Sequence, residues 1–256
     1  MKIEVKNLSF AYDERRVLDN VSLCAEGGEF VSILGSNGVG KSTLFRCMLG
    51  LLSGYSGEVL LDGTEIRKLT VREISEKVAY IPQHSNPAFN YSVEQIILMG
   101  TTAGTRAFER PKEAERLRVR DAMKKMGIEH LSQRCFHRLS GGERQLVIIA
   151  RALAQNAGIL MLDEPTSALD FGNQLLVMTR ARQLADEGYT VIQTTHNPDQ
   201  AYMFSDRIVA IKNGAVVKDG TPDEVINDST ISELYNAQAK VVSIENGRYK
   251  VCLPLV

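Results

Sequence analysis

Along the first 35 residues apolar and polar positions mostly alternate. Ile3, Val5 and Leu8 open the pattern, and Phe30 to Leu34 ends it as a short, nearly continuous apolar run with β-branched members. Alternation predicts strands with one face inward, and the continuous run predicts a strand buried on both faces. A glycine-rich turn follows, then a helix from about Ser42 to Leu51 and strands at 57–62 and 78–81. From Ser92 to His137 the texture turns helical. Ser92 and Gln95 form a capping-box start, and Val119, Ala122, Met123 and Met126 repeat at the spacing of one helix face. This stretch, about 92–156, reads as an inserted helical subdomain.

Beyond residue 140 helix and strand alternate: helix 141–155, strand 159–163, helix 173–187, strand 190–195, and a helix opening at Asn197-Pro198. Asn as N-cap with Pro in the first turn is a strong start signal. Such alternation predicts an α/β fold with a mostly parallel sheet and right-handed crossovers. The tail adds a strand pair near 207–219, then short helices beginning at another capping box, Thr221–Glu224. A hairpin of Val241–Ile244 and Tyr249–Cys252, turning near Asn246-Gly247, ends the chain.

Composition narrows the field. A chain of 256 residues hides roughly 70–75% of its unfolded surface, so it needs no disulfide or metal staple. The four cysteines, at 24, 47, 135 and 252, show no CxxC and read as reduced thiols. Thirty Lys and Arg against 31 Asp and Glu leave a net charge of -1, which offers no global attraction to nucleic acid or an anionic membrane. No nucleic-acid partner is expected. The basic residues Arg116, Arg118, Arg120, Lys124 and Lys125 stand among Glu113, Glu115 and Asp121 and read as a solvated helix face with an Asp121–Lys125 pair. The N-terminus lacks the apolar core of a secretory signal, and no run approaches the roughly 20 apolar residues that span a bilayer. Any membrane work would need a separate spanning subunit. His84, His130 and His137 show no ligand spacing with Cys135 beyond the single Cys135-x-His137 pair, so no structural metal is expected.

Gly35, Ser36, Asn37, Gly38, Val39, Gly40, Lys41 and Ser42 match the phosphate-loop pattern G-x-x-x-x-G-K-[ST]. Glycines let backbone N–H groups converge on phosphate oxygens, and the following helix aims its positive end at them. Lys41 has the reach for the β- and γ-phosphates, and the Ser42 hydroxyl is a Mg²⁺ ligand. Much later, Gly158 to Leu162 is an apolar run ending in Asp163 and Glu164. Acids emerging at the C-terminal edge of a parallel strand, where such sheets bind ligands, fit a metal partner (Asp163) and a base that polarises water (Glu164). Between them lies Leu139-Ser140-Gly141-Gly142-Glu143-Arg144-Gln145. Ser140 and Glu143 form a capping box, which by itself makes only a well-started helix. Two glycines in its first turn weaken that helix unless something must approach its backbone, which points to a second anion site.

Tyr12, the phosphate loop, Gln83, LSGGERQ at 139–145, ILMLDEPTSALD at 159–170 and His196 occur in the order found in ABC-type ATPases. Over residues 2–220 the chain closely resembles the nucleotide-binding subunit of an ABC transporter. The resemblance implies a P-loop NTPase core with an antiparallel β lobe at the N-terminus, an ATPase domain over 1–220 and a C-terminal extension over 221–256. It implies that Tyr12 stacks on adenine, that Asn37 to Thr43 wrap the phosphates, and that Gln83 watches Mg²⁺ and the attacking water. Asp163 and Glu164 become metal partner and general base. Ser167 to Asp170 communicate across a dimer, and His196 contacts the γ-phosphate. Ser140, Gly141 and Gly142 act in trans, on ATP held by a second copy. ATP and Mg²⁺ are the implied cofactors. The implied partners are that second copy, a transmembrane permease and, through it, an extracytoplasmic substrate-binding protein, at the cytoplasmic face of the membrane.

Ile81 to His84, Phe89 to Glu94, Leu98-Met99-Gly100 and Gly220 to Val225 resemble the subfamily importing iron–siderophore, haem and cobalamin chelates. Thr101 departs from the Arg common there, as Ser36 and Glu143 depart from the wider family's Pro and Gln. An exporter or another class of importer is the alternative. Soluble ABC ATPases of DNA repair separate loop and signature by a long coiled coil, and translation factors carry two cassettes; neither feature is present. The segment Ser85 to Tyr91, with Pro87, Phe89 and Tyr91, reads as a socket for a cytoplasmic helix of the permease, or as aromatics packing on their own subdomain.

Overall fold

A computed structural model describes residues 1–83, 90–104, 112–245 and 249–255. Its main sheet has six strands in the order β10-β9-β3-β8-β7-β6. They are β3 (Phe30–Leu34), β6 (Val78–Ile81), β7 (Ile159–Asp163), β8 (Thr190–Thr195), β9 (Arg207–Lys212) and β10 (Ala215–Gly220). Pairing is parallel from β9 through β6, and only β10 runs antiparallel. Every residue of β3, β7 and β8 is buried, as in a parallel sheet covered on both faces.

Alternate residues of these strands feed two different cores. Phe30, Leu160, Leu162 and Val191 face a helical layer of α3 (Val93–Leu98), α4 (Glu113–Met126), α5 (Gly141–Ala154) and α6 (Phe171–Asp186). Val31, Ile33, Ile159, Met161 and Ile192 face α1 (Lys41–Met48) and a second, antiparallel sheet ordered β2-β1-β4-β5. That sheet comprises β1 (Ile3–Tyr12), β2 (Arg15–Ala25), β4 (Ser56–Leu61) and β5 (Thr64–Glu65). A third cluster joins α7 (Pro198–Phe204) and the end of β3 to α8 (Pro222–Val225) and α9 (Asp228–Tyr235). The hairpin β11 (Ala239–Ile244) and β12 (Tyr249–Pro254) closes over them.

Several sequence expectations shift. Helix α1 stops at Met48 rather than Leu51, because Gly50 takes a left-handed φ of 67° just beyond it. Helix α6 starts two residues early, at Phe171, since the Asp170 carboxylate accepts from Asn173 N–H at 2.9 Å and caps it there. Helix α2 (Val71–Lys77) is an added element, while α8 and α9 are short helices of the kind expected in the C-terminal extension. The Asp121–Lys125 pair is a correction: Lys125 Nζ instead meets Glu187 Oε2 at 2.8 Å and lies over the Tyr189 ring. That side chain ties α4 to the end of α6, so a tertiary partner displaces the local one. Tyr91 packs on the helical core and its carbonyl accepts from Phe136 N–H at 3.0 Å, the arrangement in which the aromatic serves its own subdomain. His84, Phe89 and the Asn246-Gly247 turn lie outside the described residues. Among those described, no helix is long and apolar enough to cross a membrane.

Candidate nucleotide site

The site forms where β3, β7 and β8 end. Gly35 N–H donates to the Thr195 carbonyl at 3.2 Å, tying the loop after β3 to the last residue of β8. A Cβ at Gly35 would collide with the Ile211 carbonyl, and at Gly40, with φ 107°, it would press on Val17 and Leu18. Only glycine fits there. Gly40 also gives α1 no side-chain cap, so the first N–H groups of that helix stay available to an anion.

Lys41 is 5% exposed. Its Nζ donates to the carbonyls of Gly35 (2.7 Å) and Ser36 (3.1 Å) and lies 3.3 Å from Glu164 Oε1. Burial pulls its pKa below the ordinary lysine value, and the Glu164 carboxylate opposes that fall. Asp163 is buried at the end of β7. Its Oδ1 accepts from Thr194 Oγ1 at 2.6 Å and Ser42 Oγ at 3.3 Å, and its Oδ2 accepts from Tyr80 OH at 3.2 Å. Burial, with the Asp163 charge after it, pushes the Tyr80 phenol up to about 12, so it remains a donor to that carboxylate.

Glu164 has a left-handed φ of 44°, a conformation costing about 1–3 kcal/mol in a non-glycine residue. Thr194 Oγ1 holds its N–H at 3.0 Å. The turn brings Glu164 Oε2 to 3.3 Å from Gln83 Nε2 and 3.2 Å from His196 Nδ1. Gln83 Nε2 also donates to Ser167 Oγ at 3.2 Å. Thus Lys41, Ser42, Gln83, Asp163, Glu164 and His196, drawn from four separate stretches of chain, form one connected set.

In front of this set lies a cavity of about 440 Å³ whose wall includes Tyr12, Asn37, Gly38, Lys41, Ser42 and Thr43. Tyr12 is 40% exposed and stands edge-on to Phe10 at 4.8 Å. Gly35 and Ser36 serve through their carbonyls, and Val39 turns into the core. Ser140, Gly141 and Gly142 are not in that wall. They open α5, where Ser140 N–H donates to Glu143 Oε2 at 2.7 Å and Glu143 N–H to Ser140 Oγ at 3.3 Å. Gly142 also has a reason within its own chain, since a Cβ there would collide with the Asn173 side chain of α6. Tyr80, Thr194, Arg15 and Val17 belong to the site but were not foreseen. Thr194 shares register with Asp163 across β7 and β8, which the two adjacent threonines after Val-Ile-Gln would have signalled had the strands been paired.

Comparison with known proteins agrees with this geometry. The family model described as ABC transporter matches residues 18–167, a span holding the phosphate loop, Gln83, the 139–145 segment and the two carboxylates. The hemin import ATP-binding protein HmuV of Bradyrhizobium diazoefficiens is 39% identical over 93% of this chain and 90% of its own length. The petrobactin import ATP-binding protein YclP of Bacillus subtilis is 32% identical over 97% of this chain and 98% of its own. Among solved structures, a chain of an inward-facing transporter described as metal-chelate type superposes with a TM-score of 0.88 at 29% identity, covering 99% of this chain and 97% of that one. The chain belongs to the ABC transporter family, as an ATP-binding subunit of its ATP-hydrolysing kind.

Proposed function

We propose that this chain is the motor subunit of an importer of metal chelates (haem, an iron–siderophore or cobalamin), acting through a separate permease at the cytoplasmic face of the membrane. The observation that carries the chemistry is Glu164, whose carboxylate meets Lys41, Gln83 and His196 within 3.3 Å at the phosphate loop. The cargo class rests on likeness to the hemin and petrobactin import proteins.

In this reading Tyr12 stacks on adenine. The N–H groups from Asn37 to Thr43 and the Lys41 ammonium hold the phosphates. Glu164 takes the proton of the attacking water, and His196 holds the γ-phosphate. Ser42 Oγ and Asp163 Oδ1, 3.3 Å apart, are hard oxygen donors of the sort Mg²⁺ takes beside phosphate, and Gln83 stands at the same edge. These three would hold the ion, which supplies neutralisation of phosphate charge. Ser140, Gly141 and Gly142, lying outside their own chain's cavity wall, close the site of a second copy. Residues 1–220 form the ATPase domain, with the helical insertion at about 92–156, and 221–256 form the extension. An extracytoplasmic binding protein delivers cargo to the permease.

Purifying the native complex from membranes identifies the permease, and reconstitution in vesicles tests the function. ATP-driven uptake of one of the three chelates, lost when Glu164→Gln replaces the wild type, is the expected result. Outward movement, or uptake of a different cargo class alone, would overturn the assignment.

A further inference from the structure

The C-terminal extension folds against the loop that presents His196. Val225, Ile226, Ile231 and Leu234 share one apolar cluster with Ala201 of α7 and Leu34 at the end of β3. Two hydrogen bonds reach the start of α7 from this extension. The Tyr235 hydroxyl donates to the His196 carbonyl at 2.8 Å, and Cys252 N–H donates to Asp199 Oδ1 at 2.8 Å. Tyr235 is itself held in place. Lys212 Nζ, at the end of β9, binds the Glu233 carbonyl (2.6 Å) and Asn236 Oδ1 (3.0 Å), on either side of it.

Pinning a carbonyl fixes its peptide plane, and with it the direction in which the preceding side chain leaves the backbone. His196 needs such support, because its side chain is 46% exposed while its Nδ1 must meet Glu164 Oε2 at 3.2 Å. Precise placement of reacting groups depends on neighbours that lock them from behind. Burial first, and then the nearby Cys252, Asp199 and Glu164, raise the Tyr235 phenol above its ordinary value, so the hydroxyl keeps its proton and donates throughout the neutral range.

We propose that Tyr235 is a positioning residue for ATP hydrolysis: by holding the His196 carbonyl it aims the imidazole at the reacting edge of the site. The C-terminal extension thereby sets the rate of hydrolysis without contacting nucleotide. The inference rests on the role given to His196 above.

Tyr235→Phe removes the hydroxyl and keeps the ring. Phosphate release from Mg-ATP is measured on the full-length protein as wild type, Tyr235→Phe, His196→Ala and the double variant, each with a thermal melt. In the otherwise wild-type chain kcat falls about three- to tenfold, as loss of one such bond allows, with KM for ATP within about twofold. The bond reaches the main chain, so it survives in His196→Ala, where there is no imidazole to aim. There the same substitution leaves the residual kcat, read with excess protein, unchanged. An equal fall in both backgrounds assigns the hydroxyl to the fold at large and overturns the inference, as does an unchanged kcat in Tyr235→Phe alone. Full activity in His196→Ala instead overturns the reading of His196 on which the inference rests. If Tyr235→Phe melts several degrees lower, the four proteins are assayed at a temperature well below every melt, and the same outcomes decide.

Discussion

Glu164→Gln is expected to slow phosphate release by about 10²–10⁴-fold, the usual contribution of a positioned general base, while ATP still binds. The amide keeps the carboxylate's shape and an oxygen that accepts from Gln83 and His196, which now lie 3.3 and 3.2 Å away. It loses the ability to take a proton from water. It also removes a negative charge from the edge where the γ-phosphate would sit, so the phosphates lose a like-charge neighbour and affinity holds or improves. Blocked after binding, the subunits accumulate as an ATP-bound pair. Rapid-quench phosphate release, nucleotide binding by filter retention and size-exclusion chromatography with Mg-ATP check the three parts. Unchanged turnover would remove Glu164 from the role of base.

Lys41→Ala has the opposite signature, with binding lost first. A charge-assisted bond to phosphate contributes about 1.5–3 kcal/mol, so ATP affinity falls about 10- to 150-fold. The variant also strips the partly buried Glu164 of the ammonium 3.3 Å away. With His196 and Gln83 still beside that carboxylate, the loss of stability in the free protein is about 1–3 kcal/mol. Adding Glu164→Gln removes the stranded charge, so the double variant regains stability but not ATP binding. Isothermal calorimetry and urea melts on the four proteins read both effects. Wild-type affinity in Lys41→Ala would show that the ammonium serves only the loop carbonyls it bonds to here.

Where one stretch of chain carries its own physical signal, the sequence was readable. Strands 159–163 and 190–195 match the expected bounds to the residue: the first is a continuous apolar run ending in acids, and the second is a β-branched stretch between Gly188 and the Asn197-Pro198 helix start. The capping boxes at Ser92 and Ser140 fold as reciprocal side-chain bonds. Thr70 and Glu73 make the same pair at the start of α2, so that helix was legible but overlooked. Other features depend on pairing between distant segments. Thr194 and Tyr80 reach Asp163 only because β8 and β6 flank β7 in parallel, and the order of strands is not written in any local pattern. Lys125 had a local partner four residues away and a tertiary one in Glu187, and packing of α4 beside the end of α6 chose the latter. Gly142 was read as bare backbone for a ligand, yet Asn173 of the same chain already requires it. Tyr235 lay outside every motif. Its bond to His196 joins residues 39 positions apart, a link that needs the third core cluster to be folded first.

Each chain holds one phosphate loop and one Ser140–Gly142 segment, and that segment is absent from its own cavity wall. If two copies meet head to tail, each ATP is gripped by the loop of one and the glycines of the other. Lys41→Ala damages the first half of such a site and Ser140→Arg the second, so each homodimer is expected to be inactive. Mixing the two proteins assembles heterodimers with one site doubly damaged and one intact. Phosphate release by the mixture, measured against each parent at equal total concentration, tests the shared site most directly, and a crosslink between loop and glycine segment confirms that the pair forms. Activity well above both parents is the predicted result; activity no higher than either parent, in a mixture that crosslinks, would contradict a site that works from two chains one at a time.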